Sequence, residues 1–152
     1  MNGDGTVYVE PDLNPGEESL ATSDGIVKFG TTYVWSTGVR MSVSAPELFE
    51  PMEYANVTPQ VHNVYVTVTI TNGTDALLEP YAAFKGSSGG AEVSKIYDSA
   101  NPIGAMGAAP SASILPGGTI TWLEAFSIQD VSTLLLEGSP ASDLRDTIWT
   151  DQ

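Results

Sequence analysis

The chain has 152 residues, enough for one domain with a core of its own, and no cysteine, which excludes a disulfide scaffold, a thiol nucleophile and thiolate metal sites. Nineteen acidic residues against 5 basic ones leave a formal charge of −14; that field repels phosphate backbones and anionic membrane surfaces and excludes nucleic acid as a partner. Fifteen glycines and 10 prolines are too many for a helical bundle and point to an all-β chain of short strands joined by turns.

Residues 1–24 carry Asp4, Glu10, Asp12, Glu17, Glu18 and Asp24, two prolines and no Lys or Arg. They read as an acidic flexible leader, because so few large apolar side chains cannot offset an ordering entropy of about 1–2 kcal/mol per residue. Val7, Tyr8 and Val9 are the one run there able to pack, as an added edge strand. No basic segment followed by an apolar one opens the chain, and no run reaches the roughly 18 apolar residues of a membrane-spanning helix.

From Gly25 the texture changes, and 25–152 read as one domain. The runs IVKFG, TTYVW, VRMSVS, VYVTVTIT, LLEPYAAF, AEVSKIYD, TITWLEAF, VSTLLLE and DTIWT, divided by turn residues, predict seven to nine strands. In the clearest, at 64–71, Val64, Val66, Val68 and Ile70 face one way and Tyr65, Thr67, Thr69 and Thr71 the other, as a strand with one dry and one wet face requires. Val39, Met41 and Val43 alternate with Arg40, Ser42 and Ser44 in the same manner, and Ser36-Thr37-Gly38 suits a hairpin back to TTYVW. Asn72-Gly73 closes the central strand, GSSGG at 86–90 joins two others, and Pro116-Gly117-Gly118 opens the strand of Ile120, Trp122 and Phe126. Helix is limited to a turn near 45–50 or 142–145. The ten named apolar residues from Val39 through Phe126 make up the expected core of a two-sheet antiparallel sandwich.

Few residues carry chemistry. The GSSGG run matches a G-x-S-x-G nucleophile elbow in letters, but β-rich segments flank it, and the single histidine, His62, precedes Ser88 rather than following it. A zinc site needs three or four ligands and a lone His62 has only carboxylates to join, while four scattered methionines make no copper site. Asn2-Gly3-Asp4-Gly5 lacks the first acid of a calcium loop and has Pro11 where the bidentate glutamate belongs; Glu47, Glu50 and Glu53, or Asp143 and Asp146, remain as loop carboxylates for calcium or for solvent. Asn56 and Asn72 stand in N-x-T motifs, which accept glycans only in a eukaryotic secretory pathway. Glu124 shares a face with Ile120, Trp122 and Phe126, where a carboxylate needs a partner. Either a bulge turns Leu123 inward and frees Glu124, or Glu124 sits at the sandwich rim beside a basic residue; a lone catalytic carboxylate is the remaining reading.

The segments FGTTYVWSTGVRMSVSAPELFEP, VYVTVTITNGTDALLEP, EVSKIYDSANPIG, LPGGTITWLEAFSI and DTIWT, taken in order, resemble the domain-of-unknown-function 4352 (DUF4352) group and its immunoprotective-extracellular-protein-like relatives, mostly exported lipoproteins of Gram-positive bacteria. The resemblance covers about 25–150 and implies an immunoglobulin-like sandwich without known catalytic residues or cofactor, placed behind a lipid-anchored leader. It supplies no binding residue.

Taken together, these readings predict a non-enzymatic interaction module at the cell surface or secreted, meeting a protein or glycan and touching the membrane only through a removed N-terminal anchor. The alternative is a small extracytoplasmic carrier or sensor with a ligand or calcium site in its loops. Candidate contacts are Phe49, Met52 and Tyr54 on one loop and Ile103 and Met106 on another, since loops on a rigid sandwich vary without disturbing the core. The second loop, NPIGAMGAA, is apolar for a turn: Ile103 and Met106 either form an exposed patch or tuck under the sandwich end.

Overall fold

The alternating run at 64–71 lies inside the longest strand, β6 (His62–Asn72), in the structure, a computed structural model that describes residues 7–9 and 25–152. Antiparallel to it on either side are β4 (Val39–Val43) and β10 (Thr119–Ile128), followed by β3 (Thr32–Val34) beyond β4 and β9 (Ser94–Ile96) beyond β10. β5 (Glu47–Leu48) pairs with the start of β6, and β1 (Val7–Val9) lies parallel to β3, which makes a seven-stranded sheet. The second sheet has five strands in the order β2 (Ile26–Val27), β12 (Thr147–Thr150), β11 (Leu135–Gly138), β7 (Lys85–Ser88) and β8 (Ala91–Glu92). The core fills the space between them. Val39, Met41, Val43, Val64, Val66, Val68, Ile70, Trp122 and Phe126 are buried from one side and Leu136 and Trp149 from the other, with Ile120 half-buried at the margin.

The result is an all-β, immunoglobulin-like sandwich, as expected. Its twelve strands among the described residues exceed the seven to nine predicted, because edge strands of two or three residues carry too little alternation to be read. Two marginal pairs, β1 with β3 and β2 with β12, are parallel. Val7–Val9 is thus the edge strand allowed for in the leader; the remainder of 1–24 lies outside the described residues.

Three further segments differ from their prediction. The run LLEPYAAF is not a strand: Pro80 has no amide to donate, and the segment is held by an isolated bridge between Leu78 and Ile114 and by the Tyr81 amide on the Pro140 carbonyl. The run AEVSKIYD splits at Val93, with β8 in one sheet and β9 in the other, so the chain crosses the sandwich there. The helical turn occurs at Val131–Thr133, capped by the Asp130 side chain, rather than at either predicted place. By contrast, the hairpin at 36–38 forms as predicted, with Gly38 at φ 103° and its amide on the Trp35 carbonyl at 2.9 Å.

All three tryptophans have an acceptor for the indole N–H: Trp35 donates to the Arg145 carbonyl at 3.0 Å, Trp149 to the Thr31 carbonyl at 3.0 Å and Trp122 to the Glu124 carboxylate at 2.6 Å.

Candidate functional site

The outer face of the seven-stranded sheet is not uniformly wet. Tyr65 on β6, Leu123 and Ala125 on β10 and Ile96 on β9 form an apolar strip there, and the segments 49–57 and 98–107 lie across it. Phe49, Ala55, Val57 and Met106 make the cover, Phe49 meeting Tyr65 edge-on with ring centroids 5.8 Å apart. Backbone pairs tie the cover down: Asn56 with Tyr97 at 2.8 and 3.0 Å, Asp98 with Met106 at 3.0 and 3.1 Å, and the Gly107 amide on the Leu123 carbonyl at 2.9 Å. The Tyr65 phenol is held above its ordinary pKa of 10.0, first by burial and then by the charge and hydrogen bond of Glu47 beside it.

A buried carboxylate joins the two segments. Asp98 is 2% exposed, and its Oδ2 accepts from the Met52 amide at 2.9 Å and from Asn101 Nδ2 at 3.0 Å. Asn101 Nδ2 also donates to the Glu50 carbonyl at 3.0 Å, while its Oδ1 accepts from the Ile103 amide at 3.0 Å. The chain on each side of the contact is therefore fixed at Met52 and at Ile103, with charge-assisted bonds in a site away from water.

This geometry divides the predicted contact residues. Met106 is 2% exposed and Phe49 half-buried: both belong to the packing under the loops, the second of the two alternatives weighed for Met106. Met52, Tyr54 and Ile103 do face solvent, Tyr54 at 91% exposure on the tip of the turn closed by the Ala55 amide on the Met52 carbonyl. Tyr97 and Leu48, which sequence reasoning passed over, are exposed beside them. Asp98 and Asn101 were also missed; the only signal was an acid and an amide three residues apart around a turn, a pattern common in ordinary loops.

Glu124 and Ser88, both weighed for chemistry, have structural partners. The register of β10 on β6 runs unbroken from Thr119↔Thr71 to Ile128↔His62, so no bulge frees Glu124, which faces the core opposite Val66. It is fully buried, with Oε1 on Lys95 Nζ at 2.5 Å and Oε2 on the Trp122 indole N–H, so the expected basic partner is Lys95 reaching in from edge strand β9. Ser88 sits in the β7–β8 hairpin with its Oγ accepting from the Gln129 and Asp130 amides at 2.9 and 3.3 Å, not on a strand-to-helix elbow. His62 is exposed at the start of β6. Among the described residues no three His, Asp or Glu side chains gather as metal ligands.

Concave surface lies elsewhere, over β7, β8 and β11 and at the end of the sandwich where β6 finishes and β10 begins. Two concavities of about 360 and 540 Å³ at that end share Tyr81 and Ser142.

No family model matches the chain, and neither does any curated protein. Among solved structures, the yjhA protein from Bacillus subtilis is similar with a TM-score of 0.62 and 12% identity, over 81% of this chain and 97% of that one. MPT63, a secreted protein from Mycobacterium tuberculosis, is similar with a TM-score of 0.57 and 17% identity, over 82% and 95%. At such identities the likeness is one of fold.

Proposed function

We propose that this chain is a non-catalytic interaction module that works outside the cytoplasm, tethered at the cell surface in the manner of the DUF4352 lipoproteins, and that it meets a protein partner through the paired loops. The observation that carries this reading is the Asp98–Asn101 hub, which holds Met52, Tyr54, Tyr97 and Ile103 exposed on two segments of fixed mutual geometry. Loop backbone kept in place before binding loses little entropy on binding, and exposed Tyr and Met are the residue types that interface cores favour. The secreted neighbour supports the location. The committed oxygens of Glu124 and the amide-bound hydroxyl of Ser88 support a role without chemistry.

The test is a photo-crosslinking residue in place of Tyr54, displayed on intact cells of the source organism. One crosslinked protein is expected, lost in Met52→Asp/Ile103→Asp and retained in Leu115→Asp, whose side chain is 68% exposed outside these loops. Equal crosslinking in both variants overturns the assignment of the surface. Hydrolysis of an ester, peptide or glycoside that disappears with Ser88→Ala or Glu124→Gln overturns the non-catalytic reading. The alternative, a small carrier or sensor, has one observation in its favour: the concavities around Tyr81.

A further inference from the structure

We infer that the groove around Tyr81 is a binding site for a neutral oligosaccharide. Its location follows from the segment that the sequence predicted as a strand. Because 77–84 does not join a sheet, Tyr81 stands out at 66% exposure as the ridge between two concavities, each of a size typical of small-ligand sites, about 300–1,000 Å³.

The ridge is held firmly. The Tyr81 amide donates to the Pro140 carbonyl at 2.9 Å, Leu78 and Ile114 exchange backbone bonds of 3.0 and 2.8 Å, and Asn72 Nδ2 donates to the Ala76 and Ile114 carbonyls at 2.8 Å each. Behind it, Phe84 packs over Gly138, where a Cβ would lie 2.7 Å from the ring. With the backbone that carries this two-thirds exposed ring already fixed, contact with a ligand orders only the side chain.

The polar groups on either side select the ligand. Ser142 faces both concavities, Ser111, Ser113 and Glu79 line one, and Asp146 and Lys85 line the other. The Ser111, Ser113, Ser142, Glu79 and Asp146 side chains have no hydrogen-bond partner among the described residues, so they exchange water for ligand hydroxyls without breaking a protein contact. A pyranose combines the two features required: a face of weakly positive C–H groups for the negative face of the Tyr81 ring, and equatorial hydroxyls that both donate to carboxylates and accept from serines. Two concavities on either side of one ring fit a chain of sugars rather than a monosaccharide. The net charge of −14 repels uronate, sulfate and phosphate polymers, which restricts the class to neutral chains, N-acetylated ones included. This site is separate from the loop surface and stands or falls independently of it.

The experiment is an amide-shift titration of the whole chain with chitohexaose, cellohexaose, xylohexaose and mannohexaose, and with hexagalacturonate as the anionic control. At least one neutral hexamer is expected to shift the Tyr81, Ser142 and Asp146 amides, and hexagalacturonate to shift none. Tyr81→Ala should weaken that binding at least about tenfold, Tyr81→Trp should keep it, and Ser142→Trp, which fills the shared wall, should abolish it. Melting temperature of each variant confirms folding; should Tyr81→Ala not fold, Ser142→Trp alone decides. The inference is overturned if no neutral hexamer shifts these amides at millimolar concentration, if hexagalacturonate binds as well as the neutral chains, or if Ser142→Trp leaves binding intact. Loss of the Tyr54 crosslink leaves this titration unaffected.

Discussion

Lys95→Met leaves the Glu124 carboxylate facing the core with its ammonium partner removed and only the Trp122 indole N–H still donating. Breaking a buried pair from one side costs about 3–5 kcal/mol. The lower end applies here, because the Lys95 side chain is 27% exposed and water can follow the path it leaves. The expected loss is therefore about 3 kcal/mol, which for a domain of this size lowers the melting temperature by about 6–12 °C. Glu124→Gln keeps the shape and an acceptor for Trp122 but removes the charge, so Lys95→Met in that background should cost less than about 1 kcal/mol, since Met retains the apolar stem. The resulting coupling of about 2–3 kcal/mol lies at the upper end for directly interacting pairs. Urea unfolding followed by tryptophan fluorescence, with Trp122 itself reporting on the site, gives all four corners of the cycle at constant m-value. If Lys95→Met costs the same in both backgrounds, or less than about 0.5 kcal/mol in the wild type, Glu124 does not depend on Lys95 and the structural assignment of this pair is wrong.

Asp98→Ala should cost about 2–3 kcal/mol by orphaning the Met52 amide and Asn101, and should abolish the Tyr54 crosslink; unfolding and crosslinking on one preparation check both. Gly73→Ala places a Cβ against the Gly38 carbonyl and should destabilise by more than about 2 kcal/mol, measured by urea unfolding, whereas Gly90→Ala meets no neighbour and suffers only from its φ of 82°. Deleting residues 1–24 removes β1 and should cost about 1 kcal/mol, a shift of about 2–4 °C, together with faster hydrogen exchange on the exposed edge of β3. Because the folded-state pKa of Tyr65 is raised above 10.0, the native chain holds its proton where the unfolded chain begins to lose it. Stability contributed by that proton is complete below pH 10.0 and is lost as pH rises through and above it, so wild type should weaken relative to Tyr65→Phe between pH 9 and 11 in urea melts.

Alternation made the sandwich legible. A strand with one buried face repeats every two residues; 39–43 and 64–70 carry that period without interruption and 120–126 carries it with Glu124 on the apolar face, so their inward residues follow from local order alone. Glu124 tested the limit of this reasoning: its position on the inward face was readable, and so was its need for a partner, but which of five basic residues supplies the partner depends on β9 lying beside β10 at one particular register. The same limit applies to Met106 and Ile103, three residues apart in one apolar loop. Only the path of 98–107 across the outer face buries one and leaves the other in solvent, because a loop has no period from which to infer a face.

Composition and charge alone decided the class of chain, the absence of thiol chemistry and the sign of its field, since these are sums that no fold can alter. Which side chains stand exposed in the proposed binding surfaces was decided by tertiary structure. Asp98 reaches Met52 across 46 positions, and Tyr81 becomes a ridge because Pro80 keeps 77–84 out of both sheets and Pro140 and Ile114 hold it from across the chain. Such contacts join residues far apart in sequence, and their strength comes from exclusion of water and fixed geometry, neither of which is written in any local pattern.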